Sequence, residues 1–310
     1  EEEEEEEDAL VTIEKLRSDE LSLRIEAAKK LPSIALALGP ERTREELLPF
    51  LSDGIDDEDE VLEAIAISLG TLLPHVGGAV HATSLLTPLE LLLAVEESVV
   101  REKAITSVIA ISHSLSEADY TTEFVGMIGR LANKEWFTAR ISACALIAHA
   151  FSKIVDPELR RTHLEYFGNL CKDDVPMVRR IASKNLGKLF YTVVETLGAV
   201  AFFDKSHHNN VVSYYSMTLL NLYELLAGGD QPDSVRLHTT ENCVCFGRAM
   251  ALMREQVESA SSSSLSRLEK EEIMTRIDGL VKRILPLIAA TIDDRSWRVR
   301  WTAASKFAAV

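Results

Sequence analysis

The stretch DDVPMVRR, Asp173 to Arg180, sets two carboxylates and two guanidiniums within eight residues. Taken alone, such a set could move protons, because paired carboxylates serve as general acid and base. It could also hold an anion, because a guanidinium donates hydrogen bonds in a planar fork. Two other groups invite a chemical reading: Cys243 and Cys245 flank Val244, and His207 adjoins His208. Side chains that share a helix face are three or four residues apart, so a spacing of two separates the thiols, and Cys243 reads as a core cysteine. Adjacent imidazoles diverge in the same way, and no Cys or carboxylate follows them at ligand spacing, so the pair reads as a polar loop and no metal or other cofactor is expected. The chain has no Gly-rich phosphate loop, nucleophile elbow or HExxH.

DDVPMVRR is one instance of a repeat. Stepping back from Arg179 by 39 residues reaches Arg140 in EWFTAR, then Arg101 in EESVVR, then Leu62 in DEDEVL; 38 residues earlier stands Arg24 in DELSLR. Forward, the signature returns at Arg236 in DQPDSVR and Arg300 in DDRSWRVR, after 57 and 64 residues. The residue before each anchor is apolar: Leu23, Val61, Val100, Ala139, Val178, Val235 and Val299. Mostly small residues stand three positions after (Ala27, Ile65, Ala104, Ala143, Ala182, Thr239, Ala303), and further apolar columns follow seven and ten positions after. These offsets trace one face of an α-helix, so seven packed helices are expected.

A preceding helix is expected for each. ELLPFL, LLTPLELLL and ILPLIAATI carry Pro49, Pro88 and Pro286 inside apolar periodicity and read as helices kinked at proline. Two antiparallel helices per period of about 39 residues match the HEAT pattern, so the fold class is all-α, an α-solenoid of about seven repeats. An acid lies five residues before most anchors (Asp19, Asp57, Glu96, Glu135, Asp174) and six before the last two (Asp230, Asp294). It is expected to cap the second helix and to meet an arginine of the adjacent repeat. Recurrence makes these groups architecture rather than a catalytic pair, and no enzyme is expected.

With 46% hydrophobic but only 6% aromatic residues, the core should be mostly aliphatic. A net charge of −16 argues against nucleic acid and anionic membranes as partners and for basic faces on proteins. Four cysteines, no leader and no bilayer-length apolar run place the chain inside the cell, in the cytoplasm with the nucleus also open. The opening seven glutamates read as a solvated tail.

IALALGPERTREELLPFL, DEDEVL, EESVVREKA, AISHSLS, EWFTARISAC, NLCKDDVPMVRRIASKNLG and DDRSWRVRW together resemble the scaffold (A) subunits of protein phosphatase 2A. The resemblance implies a non-catalytic HEAT-repeat scaffold whose intra-repeat turns form a ridge. Amino-terminal repeats of that family hold a regulatory B-type subunit, whereas later repeats hold the catalytic subunit. The chain looks like the amino-terminal part, so weak or absent binding of the catalytic subunit is expected. A nuclear-transport-type HEAT adaptor is the alternative, and an enzyme with a helical domain a distant third. The domain reading is a tail over 1–8 and one solenoid over 9–310, with repeats at about 9–38, 41–75, 80–115, 117–152, 156–196, 213–252 and 267–310. Extra residues near 191–215 and 253–283 exceed the period and read equally as loops or as translated non-coding sequence, with Ser266 and Glu269 forming a capping box in the second.

The ridge supplies the candidate partner-binding residues. Trp136, Phe137 and Trp297 stand where other repeats place smaller side chains, and large aromatics on a rigid ridge are the usual hot spots. Glu60, Glu96, Asp173 and Asp174 are the turn acids expected to meet a basic partner. Arg179 occupies the repeat column and is expected to tie repeats together, whereas Arg180 falls outside that column and is assigned to the partner. Pro176 fixes φ and thereby holds Asp173, Met177 and Arg180 at low entropic cost. Ser296 and Arg298, on either side of Trp297, complete the set.

Overall fold

A computed structural model describes residues 11–53, 55–203, 214–261 and 263–307, and every regular element among them is helical. Packing divides the chain into two units, Glu1–Leu146 and Ile147–Val310. The glutamate run and the pair His207–His208 lie outside the described residues.

In the first unit the helices that carry the anchors are α1 (Leu21–Lys29), α4 (Asp59–Leu69), α6 (Ser98–Ser112) and the start of α8 (Phe137–Phe151). Between them run α2 (Leu31–Arg42), α3 (Leu48–Asp53), α5 (Leu86–Leu92) and α7 (Val125–Ala132). The small column three residues after the anchors lets neighbouring backbones approach: Ala27, Ile65, Ala104 and Ala143 are all buried. At that approach, serine hydroxyls bond directly to carbonyls of the preceding anchor helix. Ser68 Oγ donates to Ala28 O at 2.8 Å, and Ser107 Oγ to Ala66 O at 2.7 Å. Ser142 Oγ reaches Leu93 O, at the end of α5, at 2.7 Å.

The bends are not where the prolines stand. The backbone leaves helical geometry at Gly39 inside α2, with φ 78° and ψ 167°, a region open to glycine; Pro40 follows and begins the next helix. A π-turn, Thr43–Leu47, precedes α3 and Pro49, and a 3₁₀ turn, Ala79–Leu85, precedes α5 and Pro88. The same π-turn recurs at Tyr120–Phe124 before α7, where Met127 holds the place of Pro49, so proline is not its cause. These turns widen or tighten the helix upstream and so remove the carbonyl that a proline ring would strike.

The second unit contains α9 (Pro157–Cys171), α10 (Pro176–Phe202), α11 (Tyr214–Ala227), the short helix Asp233–Arg236, α12 (His238–Ser259), α13 (Arg267–Ala290) and α14 (Trp297–Phe307). Pro286 lies inside α13, exposed together with Lys282, whose carbonyl therefore loses its N–H donor on the wet side of the helix. The core here departs from an aliphatic one. Phe190 meets Phe246 and Phe202 edge-on at 4.7 and 5.4 Å, and Tyr223 meets Phe246 at 4.6 Å while donating its buried hydroxyl to Thr239 O at 2.8 Å. Most of the described residues in excess of the period are helical, the exceptions being Phe203 and those of the link 260–266. Tyr191–Phe202 continues α10 past a positive-φ glycine, Gly198, and residues 253–259 continue α12. Ser266 and Glu269 form the reciprocal capping box that opens α13, with Ser266 N donating to Glu269 Oε2 at 2.8 Å.

Candidate interaction surface

Six of the seven anchors are arginines, Leu62 being the exception, and each of the six holds the turn of its own repeat. In the first unit Arg24 Nη1 donates to Ser18 O at 2.7 Å, and Arg101 Nη1 to Val95 O and Glu96 O at 2.7 and 2.5 Å. Arg140 Nη1 donates to Lys134 O and Glu135 O at 2.9 and 2.5 Å. These carbonyls belong to the turn just before each helix, and a guanidinium can satisfy two at once because its donors splay in a plane. The remaining donors of Arg24 cross to the next repeat: Nε meets Asp57 at 3.0 Å, and Nη2 meets Glu58. The hydrogen bond shared with Asp57, then that from Arg24, holds the Glu58 carboxyl down at about 2, while burial pushes the Asp57 carboxyl up.

The second unit repeats the device. Arg179 Nη1 donates to Asp173 O and Asp174 O at 2.6 and 3.1 Å, and Nε reaches Gln231 Oε1 in the following repeat at 3.0 Å. Arg236 donates to its own-turn Gln231 carbonyl and to both oxygens of Asp294. Arg300 Nη1 meets Asp294 O and Arg295 O at 2.6 and 3.2 Å. The inter-repeat ladder is therefore present at Arg24, Arg179 and Arg236, but one of its acceptors is the amide of Gln231. Asp230 stands six residues before Arg236 and has the expected charge; the rung is taken instead by Gln231, five before and one methylene longer. No sequence signal short of superposing the turns separates the two.

The capping role expected of the acids is corrected. The residue five before the anchor precedes the N-cap, which stands four before it, at Glu20, Glu58, Glu97 and Val175; of these only Glu97 accepts a side-chain cap bond, from Val99 N. The acids instead fold the turn: Asp173 Oδ1 accepts from Val175 N at 2.9 Å, and Asp294 Oδ1 from Ser296 N at 2.8 Å. Cys243, expected in the core, is half-buried, as is Cys245, and burial pushes both thiols up.

With the arginines turned inward, other side chains are left at the turns. Trp136, Met177 and Trp297 are 51, 50 and 67% exposed. Glu60, Glu96, Asp174, Pro176 and Arg180 are exposed; Asp173 and Phe137 are half-buried, and Phe137 leans on Trp136 at 6.0 Å between ring centroids. Ser296 and Arg298 are engaged rather than free. Ser296 Oγ donates to Asp233 Oδ2 of the preceding repeat at 3.0 Å, and Arg298 Nη1 stands 3.9 Å from the same oxygen. Asp233 was not among the residues the sequence singled out. Among the described residues, no group of three or more His, Cys, Asp or Glu could hold a metal ion, and no helix is long and apolar enough to cross a membrane.

Paired helices in sequence, with turns stapled by a recurrent arginine, define a helical-repeat protein of the HEAT and armadillo kind. No family model matches the chain. It is 48% identical over 194 residues to the alpha isoform of the 65 kDa regulatory (A) subunit of serine/threonine-protein phosphatase 2A from Arabidopsis thaliana, over 62% of this chain and 32% of that protein. It is 36% identical over 297 residues to the regulatory (A) subunit of protein phosphatase PP2A from Schizosaccharomyces pombe, over 96% of this chain and 43% of that protein. To the protein phosphatase 2A scaffold subunit of Dictyostelium discoideum it is 44% identical over 179 residues, 57% of this chain and 30% of that one. Among solved structures it aligns with a designed armadillo repeat protein at 14% identity and a TM-score of 0.35, over 83% of this chain and 97% of that one. The chain is a homologue of the regulatory, or scaffold, (A) subunits of protein phosphatase 2A. It spans 30 to 43% of the length of these three relatives.

Proposed function

We propose that the chain is a non-catalytic scaffold that holds a B-type regulatory subunit of protein phosphatase 2A on its intra-repeat turns, while the catalytic subunit is held by repeats that the full-length relatives carry in addition. The observation that supports this reading most is the division of labour at the turns. Arginines, which would otherwise serve a partner, are tied to backbone carbonyls, and large apolar side chains at Trp136, Met177 and Trp297 are left exposed on the turns so fixed. Rigid, exposed aromatics bind at low entropic cost. The acidic turn residues Glu60, Glu96 and Asp174 then favour a partner with a basic face, whose association slows as salt rises. On this reading the scaffold acts in the cytoplasm, with the nucleus also open to it, and comprises about seven repeats over 9–310. Titrating a purified B-type regulatory subunit into the chain tests this. Binding is expected, and Trp136→Ala and Trp297→Ala are each expected to weaken it by about 2 kcal/mol. Absence of binding, or binding indifferent to both substitutions, refutes the assignment.

A further inference from the structure

Trp297 is the most exposed of the turn aromatics and stands in the first turn of α14, yet the two residues that flank it are both fastened to one carboxylate of the preceding repeat. Ser296 Oγ donates to Asp233 Oδ2 at 3.0 Å, and Arg298 Nη1 approaches the same oxygen at 3.9 Å. A serine at the start of a helix ordinarily spends its hydroxyl on that helix's own N–H groups. Here it reaches across to another repeat. Asp294 Oδ1 takes the Ser296 N–H at 2.8 Å, and Arg295 Nη2 donates to Gly229 O at 3.0 Å, so the segment that leads into Trp297 is bonded on both sides. Asp233 opens the short helix Asp233–Arg236, where a carboxylate is also favoured by the helix dipole. Its place is three residues before the anchor Arg236, and the other repeats put Leu21, Asp59, Ser98, Phe137, Pro176 and Trp297 there.

We propose that Asp233 is the positioning residue for Trp297: by holding Ser296 and Arg298 it fixes the backbone on either side of the indole and so aims the indole outward in one orientation. An aromatic presented in this way loses little freedom on binding, and that saving appears as affinity. Asp233 itself need not touch a partner. The effect on partner affinity rests on the scaffold reading above; the effect on the indole does not.

The test uses the full chain with Trp136→Phe and Trp301→Phe, which leaves Trp297 as the single tryptophan. In that background Asp233→Ala is expected to lower the limiting fluorescence anisotropy of Trp297 and to raise its quenching by acrylamide. Ser296→Ala should do the same to a lesser degree, and Asp233→Asn, which keeps an acceptor for Ser296, should fall between Asp233→Ala and the parent. Helical content by circular dichroism is expected to stay at the parent level, since Asp233 and Arg298 lie toward solvent. Unchanged anisotropy in both Asp233→Ala and Ser296→Ala overturns the proposal. If Asp233→Ala unfolds, Ser296→Ala decides by the same readout. Affinity for the regulatory subunit is measured alongside. A several-fold loss in Asp233→Ala supports both readings, whereas a loosened indole with parental affinity upholds the positioning role and removes Trp297 from the partner site.

Discussion

Arg236 grips Asp294 of the following repeat through Nε at 2.8 Å and Nη2 at 2.7 Å, while its Nη1 donates to the Gln231 carbonyl of its own turn. Arg236 is 3% exposed. Breaking a buried pair from one side leaves the other charge without a partner, which costs about 3–5 kcal/mol. Arg236→Ala is therefore expected to lower the urea midpoint more than any other anchor substitution. Arg236 and the Ser296 N–H also hold the Asp294 carboxyl below its ordinary value, with burial opposing them. A depressed carboxylate contributes stability that is complete above the ordinary carboxylate range and is lost as pH falls through the depressed value. Midpoints recorded from pH 7 to pH 3 should fall steeply at the acid end, and Asp294→Asn should flatten that fall.

Arg179 and Arg180 should separate cleanly. Arg179 makes three hydrogen bonds, two within its turn and one to Gln231, whereas Arg180 is exposed. Arg179→Ala is expected to destabilise by about 1–3 kcal/mol, the range for a lost charged hydrogen bond. Arg180→Ala is expected to leave melting unchanged and to weaken regulatory-subunit binding. Early melting of Arg180→Ala, or normal binding by it, would contradict the assignment.

Two glycines give opposite signs for the same substitution. A Cβ on Gly187 would meet Asn242 Oδ1 at 2.7 Å and both Asn242 Cα and Cys245 Cβ at 3.1 Å. It would displace the amide that accepts from Gly187 N and donates to Ser183 O. Overpacking of about 1–3 kcal/mol exceeds the gain of about 1 kcal/mol in helix propensity, so Gly187→Ala should destabilise. Gly279, within α13, has nothing near such a Cβ, and Gly279→Ala should stabilise by about 0.5–1 kcal/mol. Thermal melts of both variants decide the matter.

His163 and His238 are buried, and burial pulls both imidazoles below their ordinary value. For His238, Glu241 opposes that fall while the nearby Arg180 and Lys184 deepen it. A base depressed in the folded state is protonated more readily in the unfolded chain, so stability is complete above about pH 6.5 and declines as pH falls below it. Chemical denaturation at pH 7.5 and pH 5.5 should show the loss, and His163→Leu should reduce it.

The repeat, its period and its buried face were legible because they rest on side-chain volume at fixed helical offsets. Six of the seven residues preceding the anchors are buried, Leu23 being half-buried, and all seven residues three positions after are buried. Columns seven and ten after hold wherever they are described, except at Cys243. In that repeat the anchor helix stops at Arg236 and resumes at His238, and the buried positions Thr239, Asn242 and Phe246 leave Cys243 on the flank. Less was legible at the turns, where hydrogen-bond direction decides. The sequence shows that Arg179 and an acid recur together; it does not show that the arginine's first partners are carbonyls. Nor does it reveal that Ser296 and Arg298 are spent on Asp233, because those pairings join residues 63 and 65 apart.

The rungs all point the same way. Arg24 reaches forward to Asp57, Arg179 to Gln231 and Arg236 to Asp294, each with the donor on the earlier repeat and the acceptor on the later one. The repeat anchored at Arg236 carries both halves of this device, a socket at Gln231 and a plug at Arg236, like a coach with a coupling at each end. Removing that repeat would bring Arg179 against Asp294 and strand no charge, whereas cutting between Arg236 and its own turn would strand both. At such a junction a whole repeat can be lost or gained and the rung still closes, and the length that separates two surfaces is then free to change in steps of one repeat.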